Sequence, residues 1–210
     1  NLLPNIDAFL CRVHLYMGKD VADWMSQAPD ESREFCTMDR FCYLTKVRIY
    51  IQRGQYQAAY CLIQQILYYA EMMKRTYIYM EATLLLAIVQ YQMNQPAWKE
   101  TLQECISRAE EYHFVRVLTR EGPVLFQIEK EKFIWQDAEY KNQVLTECRQ
   151  MAEAYPFYLS EEGEEQIALS TNAVKILKLQ AEGMASAAIA QSMKLSEATV
   201  KYHCRETYRK

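Results

Sequence analysis

The chain has 210 residues, half of them apolar, with five glycines, five prolines and a formal charge of −3. That length holds one large or two modest domains with a sizeable core, and the weak net charge excludes a chain that is basic throughout. The charge is uneven: residues 171–210 carry +4, residues 159–170 carry −4 through Glu161, Glu162, Glu164 and Glu165, and the first 158 carry −3. Only the C-terminal stretch has the sign that suits nucleic acid.

Long β-hairpin signals are absent and the apolar periodicity is helical almost throughout, which predicts an all-α fold. The seven cysteines form no C-x-x-C pair. Cys11-x-x-His14 is the only local ligand-like pair, and with no second pair nearby it reads as packing rather than metal binding. Reduced cysteines on a helical scaffold predict a cytoplasmic protein. The run Leu84 to Val89 is too short to span a membrane. The sequence opens without an initiator Met or a signal peptide, inside what reads as a helix, so a piece of a longer protein is expected.

In chain order, residues 1–158 repeat. Turns followed by small or apolar residues occur at Gly18-Lys19-Asp20-Val21-Ala22, Gly54-Gln55-Tyr56-Gln57-Ala58-Ala59, Asn94-Gln95-Pro96-Ala97 and Gln136-Asp137-Ala138, separated by 36, 40 and 42 residues. The expected helix pairs are 5–17 with 19–28, 32–53 with 55–73, 75–93 with 96–112, and 121–134 with 137–154. A helix pair repeated at this interval builds an α-solenoid. Gly54-x-Tyr56-x-x-Ala59 is tetratricopeptide-like, with Ala59 small where two helices approach closely.

Nine tyrosines, Tyr43, Tyr50, Tyr56, Tyr60, Tyr68, Tyr69, Tyr77, Tyr79 and Tyr91, crowd the middle of this region. Aromatic rings on a concave solenoid face can stack on a sugar or grip a peptide, although filling helix–helix interfaces is the commoner use of Tyr. Trp24, Trp98 and Trp135 read as packing residues.

Asn1-Leu2-Leu3-Pro4, Arg33-Glu34-Phe35, and Phe114-Val115-Arg116 leading to Arg120-Glu121-Gly122-Pro123 resemble the superhelical region of MalT-like regulators, over about the first 135 residues. Where that family often has an Asp before its Glu-Gly pair, this chain has Arg120. The resemblance implies an effector, small molecule or peptide, sensed by the superhelix. It also implies an ATP-dependent module upstream. The chain itself has no G-x-x-x-x-G-K-[ST], so no ATP and no other cofactor is expected here.

Beyond the acidic stretch, a helix from Asn172 to Gly183, a second from Ser186 to Met193, a Lys194-Leu195-Ser196 turn and a basic helix from Glu197 to Lys210 follow one another. Short helix, turn and basic helix is the arrangement that places one helix in a DNA major groove. Val200, His203, Cys204 and Thr207 share the inward face of the last helix at helical spacing, leaving Lys201, Tyr202, Arg205 and Arg209 on the other. Lys201, Arg205 and Arg209 are i+4 neighbours whose mutual repulsion phosphates and guanine edges would offset. Ser196 is the expected N-cap, with Thr199 and nearby backbone N–H groups open to a phosphate.

The segment GMASAAIAQSMKLSEATVKYHCRETYRK, from Gly183 to Lys210, resembles the helix-turn-helix of LuxR-type transcription regulators, with Leu169-Ser170 and Ile176-Leu177 fitting the first helix. The resemblance implies that Lys201, Tyr202 and Arg205 approach base edges while Ser196, Thr199 and Arg209 lie near the backbone of double-stranded DNA. Three departures stand out. Ala173 occupies the place of an acidic capping-box residue, and Ser186 is positioned to cap the second helix one position late. The family also continues into a fourth helix that supplies much of the dimer contact, so a homo-oligomer is expected of the full-length protein.

The sequence therefore predicts a tetratricopeptide-like superhelical domain over 1–158, an acidic linker over 159–168 and a LuxR-type helix-turn-helix over 169–210. The expected function is a bacterial DNA-binding transcription regulator without membrane contact. The acidic linker or the superhelix would mask Lys201 and Arg205 until an effector acts. The alternative is a helical-repeat adaptor that binds proteins and not DNA. No enzyme is expected, since His14, His113 and His203 have no nucleophile or metal partner in any motif; His203 and Cys204 point about 100° apart on a helix.

Overall fold

The helices of this chain end in one recurring way, and that device sets the architecture. In a computed structural model of the protein, residues 3–31, 36–128, 133–156, 158–159, 171–193 and 195–209 are described (backbone alone at 37, 127–128, 171–172 and 206–209). The described residues form helices and no strands. The chain divides into two compact units, 1–162 and 163–210.

The first unit contains α1 (Leu3–Tyr16), α2 (Ala22–Gln27), α3 (Arg40–Gln52), α4 (Tyr56–Met72), α5 (Thr76–Gln92), α6 (Trp98–Glu111), α7 (Val115–Thr119), α8 (Gly122–Ile128) and α9 (Ala138–Ala154), with a 3-10 turn at Thr37–Asp39 before α3. Helices α1, α3, α4, α5 and α6 each stop at a residue with positive φ: Gly18, Gly54, Lys74, Asn94 and His113. At each stop two backbone bonds fold back, as when Gln55 N–H donates to Tyr50 O at 2.8 Å and Gly54 N–H to Ile51 O at 3.0 Å. These are Schellman closures, which satisfy orphan carbonyls and reverse the chain within about three residues. Glycine adopts the left-handed conformation without a Cβ penalty, so Gly18 and Gly54 are legible as stops. Lys74 and His113 carry no such mark.

Short reversals force consecutive helices to pack side by side. Helix α4 shows why these residues form a half-buried helix: Ala59, Leu62, Ile63, Ile66 and Ala70 recur at i, i+3, i+4, i+7 and i+11 and are all buried. Burying one such Leu or Ile contributes about 1.5–3 kcal/mol. Helices α3 and α5 are buried nearly all round, α3 from Cys42 to Gln52 and α5 from Met80 to Gln90 with Leu86 half-covered. A helix buried on every side belongs in the middle of a stack. Helix α5 packs on α4, α6, α3 and α7, in keeping with the expected helical-repeat packing.

Two pairs differ from expectation. The second helix of the first pair is the short α2, which buries no residue, and α1 packs on α3 as well as on α2. The helix expected over 121–134 is the shorter α8, entered by a corner from α7; residues 129–132 lie outside the described residues and 133–137 are not helical. Glu121 O accepts from Leu125 N–H at 2.9 Å and opens α8, while Pro123, lacking an N–H, sits in the first turn where none is needed. Gly122 is required here: a Cβ would lie 2.9 Å from Cys148 Cα on α9. In the expected helix 32–53, residues 32–35 lie outside the described residues, as does Arg33-Glu34-Phe35.

Charges lie inside this apolar stack. Glu121 is fully buried and its carboxylate accepts from Arg48 Nε at 3.0 Å and from Tyr158 Oη at 2.7 Å. Arg48 also donates to Glu81 at 2.9 Å and to Leu44 O at 2.8 Å, and Arg12 donates to the same Glu81 oxygen at 3.0 Å. Burial opposes the charge on Arg48, but Glu121 and Glu81 outweigh it and hold its pKa well above the ordinary value. Burial likewise opposes ionisation of Glu81, and Arg12, Arg48 and Arg120 overcome it, so its pKa is lowered.

The nine central tyrosines do not form one groove. Tyr43 and Tyr50 are buried, Tyr50 donating to Glu31, whereas Tyr68 is 69% exposed. None of the nine lines the cavity between α6, α7, α8 and α9 described below. Leu159, at the start of the expected linker, is buried in the core of the first unit. Residues 160–170, including Glu161 to Glu165, lie outside the described residues.

Candidate nucleic-acid interface

The second unit has three described helices, α10 (Thr171–Ala181), α11 (Ser186–Met193) and α12 (Glu197–Arg209). Helix α10 closes on Gly183 at φ +84, with Met184 N–H donating to Leu179 O at 3.0 Å and Gly183 N–H to Gln180 O at 2.9 Å. Leu179 and Met184 pack on the same core, the apolar contact that accompanies a Schellman closure. That core is Ile176 from α10, Ile189 and Ala190 from α11, and Val200 from α12. Ala190 is small where α11 meets its neighbours, and Leu195 N–H donates to Ala190 O at 2.9 Å, which fixes the turn between α11 and α12.

The start of α11 corrects one expectation. Ile189 N–H donates to Ala185 O at 3.0 Å, so Ala185 is the capping position and Ser186 is already inside the helix. Ser170, the expected cap of α10, lies outside the described residues.

Helix α12 starts as the sequence indicates. Ser196 Oγ accepts from Thr199 N–H at 3.1 Å, the N-cap to N3 bond. The Ser196 and Thr199 hydroxyls lie 2.7 Å apart, so both are engaged with each other and Thr199's N–H with the cap. A phosphate at this end would meet the backbone N–H groups of Glu197 and Ala198 first.

Val200 is fully buried and His203 and Cys204 are half-buried, which fixes the helix about its axis. The opposite face therefore presents Lys201, with 64% of its side chain exposed, Tyr202, 61% exposed, and Arg205, also exposed. Tyr202 meets His203 edge-on at 5.7 Å. The side chains of Thr207 and Arg209 lie outside the described residues.

This face also holds a partner that the stripe of repelling charges does not suggest. Lys201 Nζ lies 2.7 Å from Glu197 Oε1, an i,i+4 pair on the outer surface. Its spacing is visible in the sequence, and its attraction opposes the repulsion along Lys201, Arg205 and Arg209. An exposed pair of this kind is worth about 0.3–0.5 kcal/mol, so it orients Lys201 without holding it against a phosphate.

Among the described residues, no group of three His, Cys, Asp or Glu could hold a metal ion. Cys11 is buried in the core, where burial pushes its pKa to about 12, while His14 is exposed. No described helix is long and apolar enough to cross a membrane.

Three short helices on one small core, with a capped basic helix turned outward, define a helix-turn-helix DNA-binding unit. Residues 168–210 match the family model described as bacterial regulatory proteins, luxR family. This segment is accordingly a LuxR-type helix-turn-helix, which supports DNA-binding transcription regulation as the function class. Comparison of the chain with curated proteins and with solved structures returned no match.

Proposed function

We propose that this chain is a transcription regulator of the MalT-like group. In this reading residues 1–158 form an effector-sensing superhelix, 159–168 an acidic linker and 169–210 the DNA-docking domain. Lys201, Tyr202 and Arg205 read base edges in the major groove, and Ser196, Thr199 and Arg209 lie along the phosphates. The observation that carries it is the outward face of α12: Lys201, Tyr202 and Arg205 are exposed together while Val200 anchors the helix from behind. The subgroup rests on the resemblance around Glu121-Gly122. It is supported by the use of that pair as a buried anchor and a close helix contact.

The test is binding of the chain to genomic DNA fragments at several salt concentrations. A domain that neutralises phosphates loses affinity with a log–log slope of about −0.9 per phosphate. A protein-binding adaptor gives no shift and no such slope. Replacing Glu161, Glu162, Glu164 and Glu165 by Gln tests masking: raised DNA affinity supports it and unchanged affinity removes it.

A further inference from the structure

The first unit contains a cavity of about 420 Å³ between α6, α7, α8 and α9, within the range of small-molecule sites, about 300–1,000 Å³. Its walls are aliphatic and aromatic, with Leu118, Phe126, Phe133, Trp135 and Val144 among them. Among the described residues, one basic side chain reaches it, Lys141. Lys141 is half-buried and stands at the head of the apolar stripe of α9, followed by Val144, Leu145 and Cys148 at i+3, i+4 and i+7. It makes no ion pair with any described residue. An ammonium at the edge of an apolar space is stabilised by an opposite charge delivered into that space.

We propose that this cavity binds an amphiphilic organic anion, with its apolar body against Phe126, Phe133 and Trp135 and its carboxylate on Lys141. The proposal rests on the reading that this unit senses an effector, and it names the chemical class of that effector. It departs from a tyrosine-lined face for a sugar or peptide, since none of those nine tyrosines is in the wall. The cavity is also placed to act on the rest of the unit. Leu118 and Leu125 line it on either side of Glu121, the residue that grips Arg48 and Tyr158. A ligand that shifts α8 against α9 therefore loads the buried ion cluster, and Tyr158 immediately precedes the acidic stretch that leads to the helix-turn-helix in sequence.

The test is calorimetric titration of the full chain with decanoate, decanol and decylamine, each below its aggregation threshold. Decanoate should saturate one site at least tenfold more tightly than the alcohol or the amine, and should quench fluorescence that Trp135→Phe abolishes. Lys141→Gln should bring decanoate down to the level of decanol and leave decanol unchanged. Val144→Phe should remove both, with the helical circular dichroism signal and melting temperature monitored; if that variant unfolds, the Trp135→Phe quench decides. No saturable decanoate binding to the wild type overturns the proposal. So does an unchanged carboxylate-to-alcohol ratio in Lys141→Gln, the result expected if that stem only lines the wall with its ammonium in water. A DNA mobility shift run alongside separates the two readings: decanoate that binds without altering DNA affinity sinks effector sensing and leaves the site standing.

Discussion

Arg48 and Glu121, 73 residues apart, meet where their side chains are 1% and 0% exposed. Their contact ties α3 to the corner between α7 and α8, and Tyr158 closes it by donating to the second Glu121 oxygen. Each charge in such a cluster depends on the others, because a lone ion in this interior has no water to replace its partner. Arg48→Met or Glu121→Gln should each destabilise the first unit by about 3–5 kcal/mol in chemical denaturation. Tyr158→Phe, which strands one acceptor lone pair, should cost about 1–3 kcal/mol. Equal, small effects from all three would show that the cluster does not hold the helices.

Gly122 should tolerate no side chain. A Cβ at this position would lie 2.9 Å from both Cys148 Cα and Met151 Cβ, so α8 and α9 must separate to admit even a methyl group. Gly122→Ala should destabilise by about 1–3 kcal/mol, the usual range for overpacking. Thermal melts of this variant beside Gly54→Ala are informative, since at Gly54 space is open and only the positive φ is costly, at about 1–2 kcal/mol.

The same logic predicts a gain at Lys74. Its φ of +50 is one that L residues adopt at a cost. Lys74→Gly should stabilise the chain by about 0.5–1 kcal/mol, and Asn94→Gly by less, because Asn tolerates this region better. A loss of stability in Lys74→Gly would mean that the lysine side chain contributes more than its backbone costs.

How much of this is legible in the sequence depends on where the signal lies. Repetition at Gly18, Gly54 and Asn94 exposes the helix pairs because a reversal needs a left-handed residue. The stop at Lys74 follows from periodicity alone. The corner at Glu121-Gly122-Pro123 reads as a family mark, and its physical cause, the approach of Cys148, lies 26 residues further on. In the DNA-binding unit, Ser196, Val200 and the outward Lys201, Tyr202 and Arg205 follow from local spacing. The cavity beside Trp135 is not readable, since its walls come from four helices and the non-helical stretch before α9, which no local spacing links.

Stability should also depend on pH at both ends. Glu81 has a lowered pKa in the fold, so its contribution is present above the ordinary carboxylate value of 4.5 and is lost as pH falls through the folded value. At the alkaline end, burial raises the thiol of Cys105 from 9.0 to about 12, and that of Cys11 likewise. Their contribution is present below pH 9 and declines between pH 9 and 12, by up to about 1.4 kcal/mol per pH unit for each thiol that stays protonated only in the fold. Urea midpoints measured from about pH 3 to 11 should trace a plateau that falls on both sides. A shallower alkaline limb in Cys105→Ala than in the wild type would assign that share of the fall to this thiol, and an unchanged limb would remove it from the account.

The face of α12 is the centre of the functional account, and the direct measurement is DNA affinity of the wild type against Lys201→Ala and Arg205→Ala across a salt series. The account predicts a salt-dependent wild-type complex. Each variant should lose about 1–3 kcal/mol and relax the preference at one base position if it reads a base edge. Binding that is independent of salt and indifferent to both substitutions would contradict it.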